Sequence, residues 1–248
     1  MLIVNADDFG INRNATDNIM ACYKKGKITS TSAMVFMVDS ERAATLASET
    51  LMGVGLHLNF TDPFSCRVRV NKLREYHDQI ITFLNKGKYH LLLYNPTLKK
   101  QFEYVYKAQY EEFIRLYNVQ PTHIDGHHHM HLCTNMLLQN LVPRGMRVRT
   151  TFTFAKKEKN ELNRLYRRMI SYWLTKRYIC TDFLYSIEPI IRNLHQRTRL
   201  LKEIVSIAEV SSVELMVHPQ IKNEYDYLMS NEFSLIISGV KKISYASL

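Results

Sequence analysis

The 248-residue chain reads as an α/β protein, a single domain folded as a (β/α) barrel, either irregular or seven-stranded. Three observations predict this. Short apolar runs, most of them rich in β-branched residues, alternate with longer stretches of helical periodicity, the order that parallel strands with crossover helices produce. No Gly/Ser- or Pro-rich linker, internal repeat or low-complexity tract interrupts residues 1–248, so one domain is expected. Acids and histidines fall at the ends of separate strand-like runs, where parallel β/α folds carry their chemistry. An open doubly wound sheet is the alternative.

The expected strands are Leu2–Ala6 (LIVNA), Thr29–Met37 (TSTSAMVFM), Gly53–Phe60 (GVGLHLNF), Pro121–Gly126 (PTHIDG), Met146–Phe152 (MRVRTTF) and Ser212–His218 (SVELMVH). The clearest helix runs from Pro96 to Tyr117, with Leu98, Phe102, Val105, Tyr106, Phe113, Ile114 and Tyr117 at helical spacing. Asn95 is placed to cap it, with Pro96 in its first turn. Further helices are expected over Asn14–Lys25, Asn160–Thr175 and Asn193–Ala208.

Composition narrows the class. The chain is 46% hydrophobic and 23% charged, as soluble globular proteins are. No apolar run approaches the ~18 residues of a membrane span. The N-terminus has no basic region of the signal-peptide kind, which makes the cytoplasm the expected location. Cys22, Cys66, Cys133 and Cys180 are scattered without a CxxC pair, against both a disulfide framework and a cysteine zinc site. Lys and Arg number 33 against 23 Asp and Glu, a net +10. The bases are not gathered into one tract; AKKEKNELNRLYRRM and KKISY read as helix surface and chain end. A solvated basic surface is therefore expected rather than nucleic-acid binding.

Five of the ten histidines lie in THIDGHHHMH, between His123 and His131. Read as extended backbone, His127, His129 and His131 share one side and His128 faces away. Asp7 and Asp8 end the first strand, His57 and Asn59 lie near the end of the third, and His218 closes the last. A hydrolytic divalent site needs about three protein ligands and open positions, which imidazole and carboxylate supply. Two adjacent carboxylates at the end of a buried strand need a cation or proton to offset them. The alternative for Asp8 is a helix N-cap, with Gly10 completing the turn. DDFG echoes a kinase motif, but no glycine-rich loop or HRD accompanies it. His218 before Pro219 is placed to donate a proton to a leaving group. His77, His90 and His195 carry no expected role.

LIVNADDFG, TSTSAMV, VGLHLN, PTHIDGHHHMH and VELMVHP, in that order and spacing, together with TDF at Thr181–Phe183, resemble the YdjC/ChbG-type carbohydrate (chitooligosaccharide) deacetylases. That family is related to the NodB-type polysaccharide deacetylases. The resemblance implies a NodB-like barrel and one divalent metal ion, Mg²⁺ or Zn²⁺ with Mn²⁺ or Co²⁺ as alternatives, held by Asp8, His57 and His127. It also implies Asp7 as general base, His218 as general acid, and Asp125, His129 and Asn59 as supporting or substrate-contacting groups. The implied reaction removes N-acetyl groups from an amino sugar or short oligosaccharide, releasing acetate. From composition, no nucleic acid or membrane partner is expected, and a homodimer is the assembly to test. The family commonly has Ser where Gly126 stands, a change expected to be tolerated in a loop. Thr61–Asn95 matches no motif, and the stretch after Pro219 matches only loosely. A metal-dependent phosphoesterase and a non-catalytic basic binding protein stay open as alternatives.

Overall fold

In a computed structural model the described residues are 1–66, 70–87, 89–154 and 160–248. They form a curled, wholly parallel six-stranded sheet ordered β4-β3-β2-β1-β6-β5. Its strands are β1 (Leu2–Phe9), β2 (Ser30–Ala33), β3 (Gly53–Leu58), β4 (Ile124–Gly126), β5 (Phe183–Ser186) and β6 (Val213–Val217). The gap between the edge strands is spanned by 146–153, of which Met146–Phe152 was expected as a strand. It pairs only intermittently: Ile124 N donates to Arg147 O (2.9 Å), Arg149 N to Ile124 O (3.1 Å) and Thr153 N to Leu184 O (2.9 Å). The barrel is thus irregular, as the sequence predicts.

The helices that follow the strands are α1 (Arg13–Lys24), α2 (Ser40–Ser48), α3 (Asn71–Leu84), α4 (Lys99–Tyr117), α5 (Thr134–Gln139), α6 (Glu161–Thr175), α7 (Glu188–Arg192), α8 (Arg197–Val210), α9 (Lys222–Leu228) and α10 (Asn231–Ile237). Caps fix several starts. Asn12 accepts from Ala15 N (3.0 Å) and Asn160 from Asn163 N (2.9 Å). Asn95 accepts from Thr97 N at the head of a 3-10 turn, Pro96–Leu98, that leads into α4, as expected. α2, α3, α5, α7, α9 and α10 were not expected from periodicity, and neither was β5, an edge strand of four residues with three of them half-buried. The basic stretch beginning at Ala155 continues into α6, but its residues 155–159 lie outside the described ones.

Strand periodicity separates two cores. Leu2, Val4 and Ala6 of β1 join the apolar cluster beneath the helices, with Leu56, Ile124, Val213 and Leu215. The alternate residues turn inward and are polar: Asn5, Asp7, Ser30, Ser32, His57, Asp125 and Glu214 are all buried. Arg149 joins them from the spanning segment, fully buried. The bottom of this interior is stoppered by Tyr245, which stacks on His123 (centroids 3.8 Å, 12° between planes) and donates its hydroxyl to Glu214. The four cysteines are free thiols, and no helix among the described residues is long and apolar enough to cross a membrane.

Gly55 makes room for the His123 ring: a Cβ there would lie 2.3 Å from His123 Cε1. The ring is held by Tyr245 on one face and by Ser32 Oγ, 3.2 Å from Nε2, so it cannot retreat. Gly55→Ala is expected to cost ~1–3 kcal/mol of stability by overpacking. Urea denaturation measures this, and a parental midpoint would contradict the packing described.

Candidate active site

The site lies at the C-terminal ends of β1, β3, β4 and β6. β1 delivers two adjacent carboxylates that point apart because its backbone breaks. The register with β2 shifts between Ala6 and Phe9, and Asp8 adopts a left-handed φ of 70°. Such a bulge re-aims a side chain at an energetic cost of about 1–3 kcal/mol, which the surroundings must sustain. Asp8 therefore does not cap α1; Asn12 does. Asp7 stays in the barrel interior, where Arg149 grips it in bidentate fashion (Nη1 to Oδ2 and Nη2 to Oδ1, both 2.6 Å) and Asn5 Nδ2 donates to Oδ1 (3.0 Å).

Asp8 faces two imidazoles. Its Oδ1 lies 2.9 Å from His127 Nδ1 and 3.3 Å from His57 Nε2, while Oδ2 accepts from Gln220 Nε2 (2.7 Å). His57 is turned by Asp125, whose Oδ1 is 2.8 Å from Nδ1. A carboxylate cannot donate, so that nitrogen carries the proton and Nε2 is directed at Asp8. Asp125 is itself fixed by Ser32 Oγ (2.7 Å) and Arg149 Nη2 (2.8 Å). One ligand atom each from Asp8, His57 and His127 lies within 4.8 Å of the others. Two imidazole nitrogens and one carboxylate oxygen form a donor set that suits Zn²⁺, Mn²⁺, Co²⁺ or Mg²⁺ and leaves positions open.

Electrostatics favour a cation there. Asp7, Asp8, Asp125 and Glu214 are all buried, and the guanidinium that faces three of them is Arg149, 2.7 Å from Glu214. Burial opposes ionisation of Asp8, yet hydrogen bonds and charge from His127 and His57 hold its carboxyl well below the usual range. Burial likewise opposes charge on His57, but Asp125 and Asp7 draw its pKa up to about 10. Burial pushes Glu214 up to about 7 against the pull of Arg149. A proton on His57 thus sits where a metal ion would otherwise supply the positive charge.

The tract after β4 is not extended. His127–Leu132 forms a 3-10 turn with His128 and His129 at left-handed φ of 50° and 58°, so the expected alternation of His127, His129 and His131 fails. Instead His127 faces Asp8, and the exposed His128 lies beside it (ring centroids 4.1 Å). His129 packs edge-on against Phe152 (4.4 Å) and is kept neutral by burial and by Arg149. His131 is buried, with Nε2 donating to Arg149 O (3.1 Å). Gly126 is not in a loop but ends β4, and a Cβ there would stand 2.9 Å from His131 N. A serine at 126 would require this turn to shift, contrary to the expected tolerance.

Asn59 offers no surface to a substrate. It is buried and braces the following turn, accepting from Thr61 N (3.2 Å) and Asp62 N (2.9 Å) and donating to Asp62 O (2.8 Å). His77, given no role, supports Asn59 by donating Nε2 to its carbonyl (3.0 Å). Asp125 is equally enclosed and acts through His57. His218 directly follows β6, partly open to solvent, with Nδ1 3.7 Å from Glu224 Oε1; Glu224 Oε2 accepts from His218 N (2.6 Å). Burial disfavours its cation, but Glu224, Asp7 and Asp8 outweigh this and raise its pKa.

Sequence reasoning missed Arg149, Glu214, Ser32, Glu224, Gln220 and Asp62. Arg149 left one signal, a basic residue inside an expected strand. The others look like ordinary polar residues until the sheet brings them together.

Fold and site together define an α/β-barrel protein with a candidate divalent-metal centre at its mouth. The family model described as YdjC-like protein matches residues 1–238, and the chain belongs to that family. A chitooligosaccharide deacetylase of Proteus mirabilis is 34% identical over 135 residues, 53% of this chain and 50% of that protein. A carbohydrate deacetylase of Clostridium beijerinckii is 35% identical over 131 residues, 52% and 50% respectively. The chain thus spans about half the length of these curated relatives. A solved structure from Enterococcus faecalis V583, described as a cellobiose-phosphate cleavage protein, covers 99% of this chain and 97% of its own. Its TM-score of 0.65 at 19% identity speaks for the fold alone.

Burial around the site also predicts acid sensitivity. His77 is held down to about 4, His123 to about 3 and His131 to about 4, in each case chiefly by burial. Each folds neutral, whereas the unfolded chain binds their protons below its ordinary ~6.5. Their contribution to stability is complete above pH ~6.5 and is lost as pH falls towards ~4. Unfolding free energy from denaturant titrations is expected to drop across that window. A flat profile between those limits would contradict the neutral burial.

Proposed function

We propose that the protein is a metal-dependent carbohydrate deacetylase, formed by residues 1–248 as one domain. It would remove the N-acetyl group of an amino sugar or short oligosaccharide and release acetate. The observation that carries this reading is the convergence of Asp8, His57 and His127 ligand atoms within 4.8 Å of one another, with Asp7 and His218 at adjacent strand ends. The names of the relatives support the substrate class.

A divalent ion held by Asp8, His57 and His127 would polarise the acetyl carbonyl and acidify a water molecule. The remaining work falls to the chain. Asp7, kept in place by Arg149 and Asn5, takes a proton from the attacking water as its oxygen adds to the carbonyl carbon. His218, with Nδ1 turned towards Glu224, presents Nε2 to the nitrogen and gives it a proton as the C–N bond breaks. An amine leaves poorly unprotonated, so both groups are required. Water and amide become acetate and amine, and proton exchange with solvent resets the pair.

Acetate release from N,N′-diacetylchitobiose tests the reading. Activity should vanish with a chelator and return with Mg²⁺, Zn²⁺, Mn²⁺ or Co²⁺. Asp7→Asn should keep its metal and lose ~10²–10⁴ in rate. Undiminished turnover in chelator-stripped protein, or hydrolysis of phosphate esters but not of acetylated sugars, would contradict it.

A further inference from the structure

At the barrel mouth a second set of metal-type side chains, Asp62, His127 and His128, also brings ligand atoms within 4.8 Å of one another. It shares His127 with the triad, and the geometry of that shared ring decides what the set does. His127 Nδ1 lies 2.9 Å from Asp8 Oδ1, while Nε2 lies 3.4 Å from Asp62 Oδ2. For His127 to ligate two cations, both ring nitrogens would have to be stripped of hydrogen, leaving an imidazolate. Neutral imidazole keeps one N–H, and a carboxylate is its ordinary partner when the other nitrogen binds metal.

We propose that Asp62 is a positioning residue for the candidate metal ligand His127. Its carboxylate, 3.4 Å from Nε2, is placed to accept the Nε2–H once a cation takes the position towards which Nδ1 now donates to Asp8, which leaves the Nδ1 lone pair for the ion. This inference rests on the reading that those three residues hold a cation.

Two further observations support it. The same device stands on the other imidazole, where Asp125 Oδ1 is 2.8 Å from His57 Nδ1, so each histidine of the triad has its own carboxylate on the far nitrogen. Asp62 is also presented by a built turn. Asn59 Oδ1 accepts from Thr61 N and Asp62 N, and Asn59 Nδ2 donates to Asp62 O. Asn59 in turn is gripped by Gln109 and His77. Thr61 Oγ1, 3.2 Å from His128 Nδ1, holds the neighbouring ring to one side. The two carboxylates differ in surroundings, since the Asp125 side chain is fully buried and that of Asp62 is 42% exposed. Water can replace Asp62 in part, so its loss should weaken metal binding rather than abolish it.

The test is Zn²⁺ affinity and stoichiometry, by chelator competition, for the parent chain, Asp62→Ala, Asp62→Asn, His128→Ala and His57→Ala. Asp62 is partly exposed, so its variants are expected to fold, which circular dichroism checks. The parent should bind one equivalent. Asp62→Ala should bind one equivalent ~10–100-fold more weakly. Asp62→Asn, which keeps an accepting oxygen, should fall between, and His128→Ala should match the parent. Parental affinity in Asp62→Ala would overturn the proposal. Two equivalents in the parent, with one lost in both Asp62→Ala and His128→Ala, would overturn it in favour of a second cation. Parental affinity in His57→Ala would refute the triad itself, a failure distinct from that of Asp62.

Discussion

Among the described residues, the interior of this barrel buries Asp7, Asp125 and Glu214 against the guanidinium of Arg149, with Asp8 buried at its mouth. Charge in a low-dielectric interior is tolerated only when paired and hydrogen-bonded, and much of the architecture follows from meeting that demand. Arg149 bridges Asp7, Asp125 and Glu214; Tyr245, near the C-terminal end of the chain, caps Glu214 from below. Asp125 transmits the arrangement to His57. The remaining negative charge collects at Asp8, the point where two imidazole nitrogens also converge. The interior is thus a connected polar network whose deficit of positive charge opens at the mouth.

Backbone strain falls at the same place. Asp8, His128 and His129 all take left-handed conformations that non-glycine residues adopt at a cost. At Asp8 the strain separates two neighbouring carboxylates, sending Asp7 to Arg149 and Asp8 to the imidazoles. In the histidine tract it turns the chain so sharply that His127 meets Asp8 while His131 is folded back beneath it, against Arg149 O. Packing beneath the strained turn is tight enough that Gly126 has no room for a side chain. Stable strands and close contacts sustain the distortion.

How much of this was legible in the sequence depended on whether the signal was local. The strands carrying Asp8, His57 and His218 announce themselves by short apolar runs, and helix α4 by its spacing and its Asn-Pro start. The barrel followed from their alternation. β5 did not, because a four-residue edge strand with half-buried side chains has little pattern to show. The conformation of HHHMH was misread because alternation in a sequence does not reveal left-handed backbone at two successive histidines. Arg149 and Glu214 were missed for another reason: their partners lie far away in the chain, and only the closed sheet makes them neighbours. Asn59 was placed at the site as a supporting or substrate-contacting group, but its position beside His57 did not disclose that its amide faces the Thr61–Asp62 turn.

The central claim is that Asp8, His57 and His127 share one cation. Anomalous diffraction from a crystal soaked in Zn²⁺ tests it most directly. The account predicts a single strong peak within bonding distance of those three side chains, with His57 still seated on Asp125. A peak displaced to Asp62 and His128, or a triad with no peak, would contradict it.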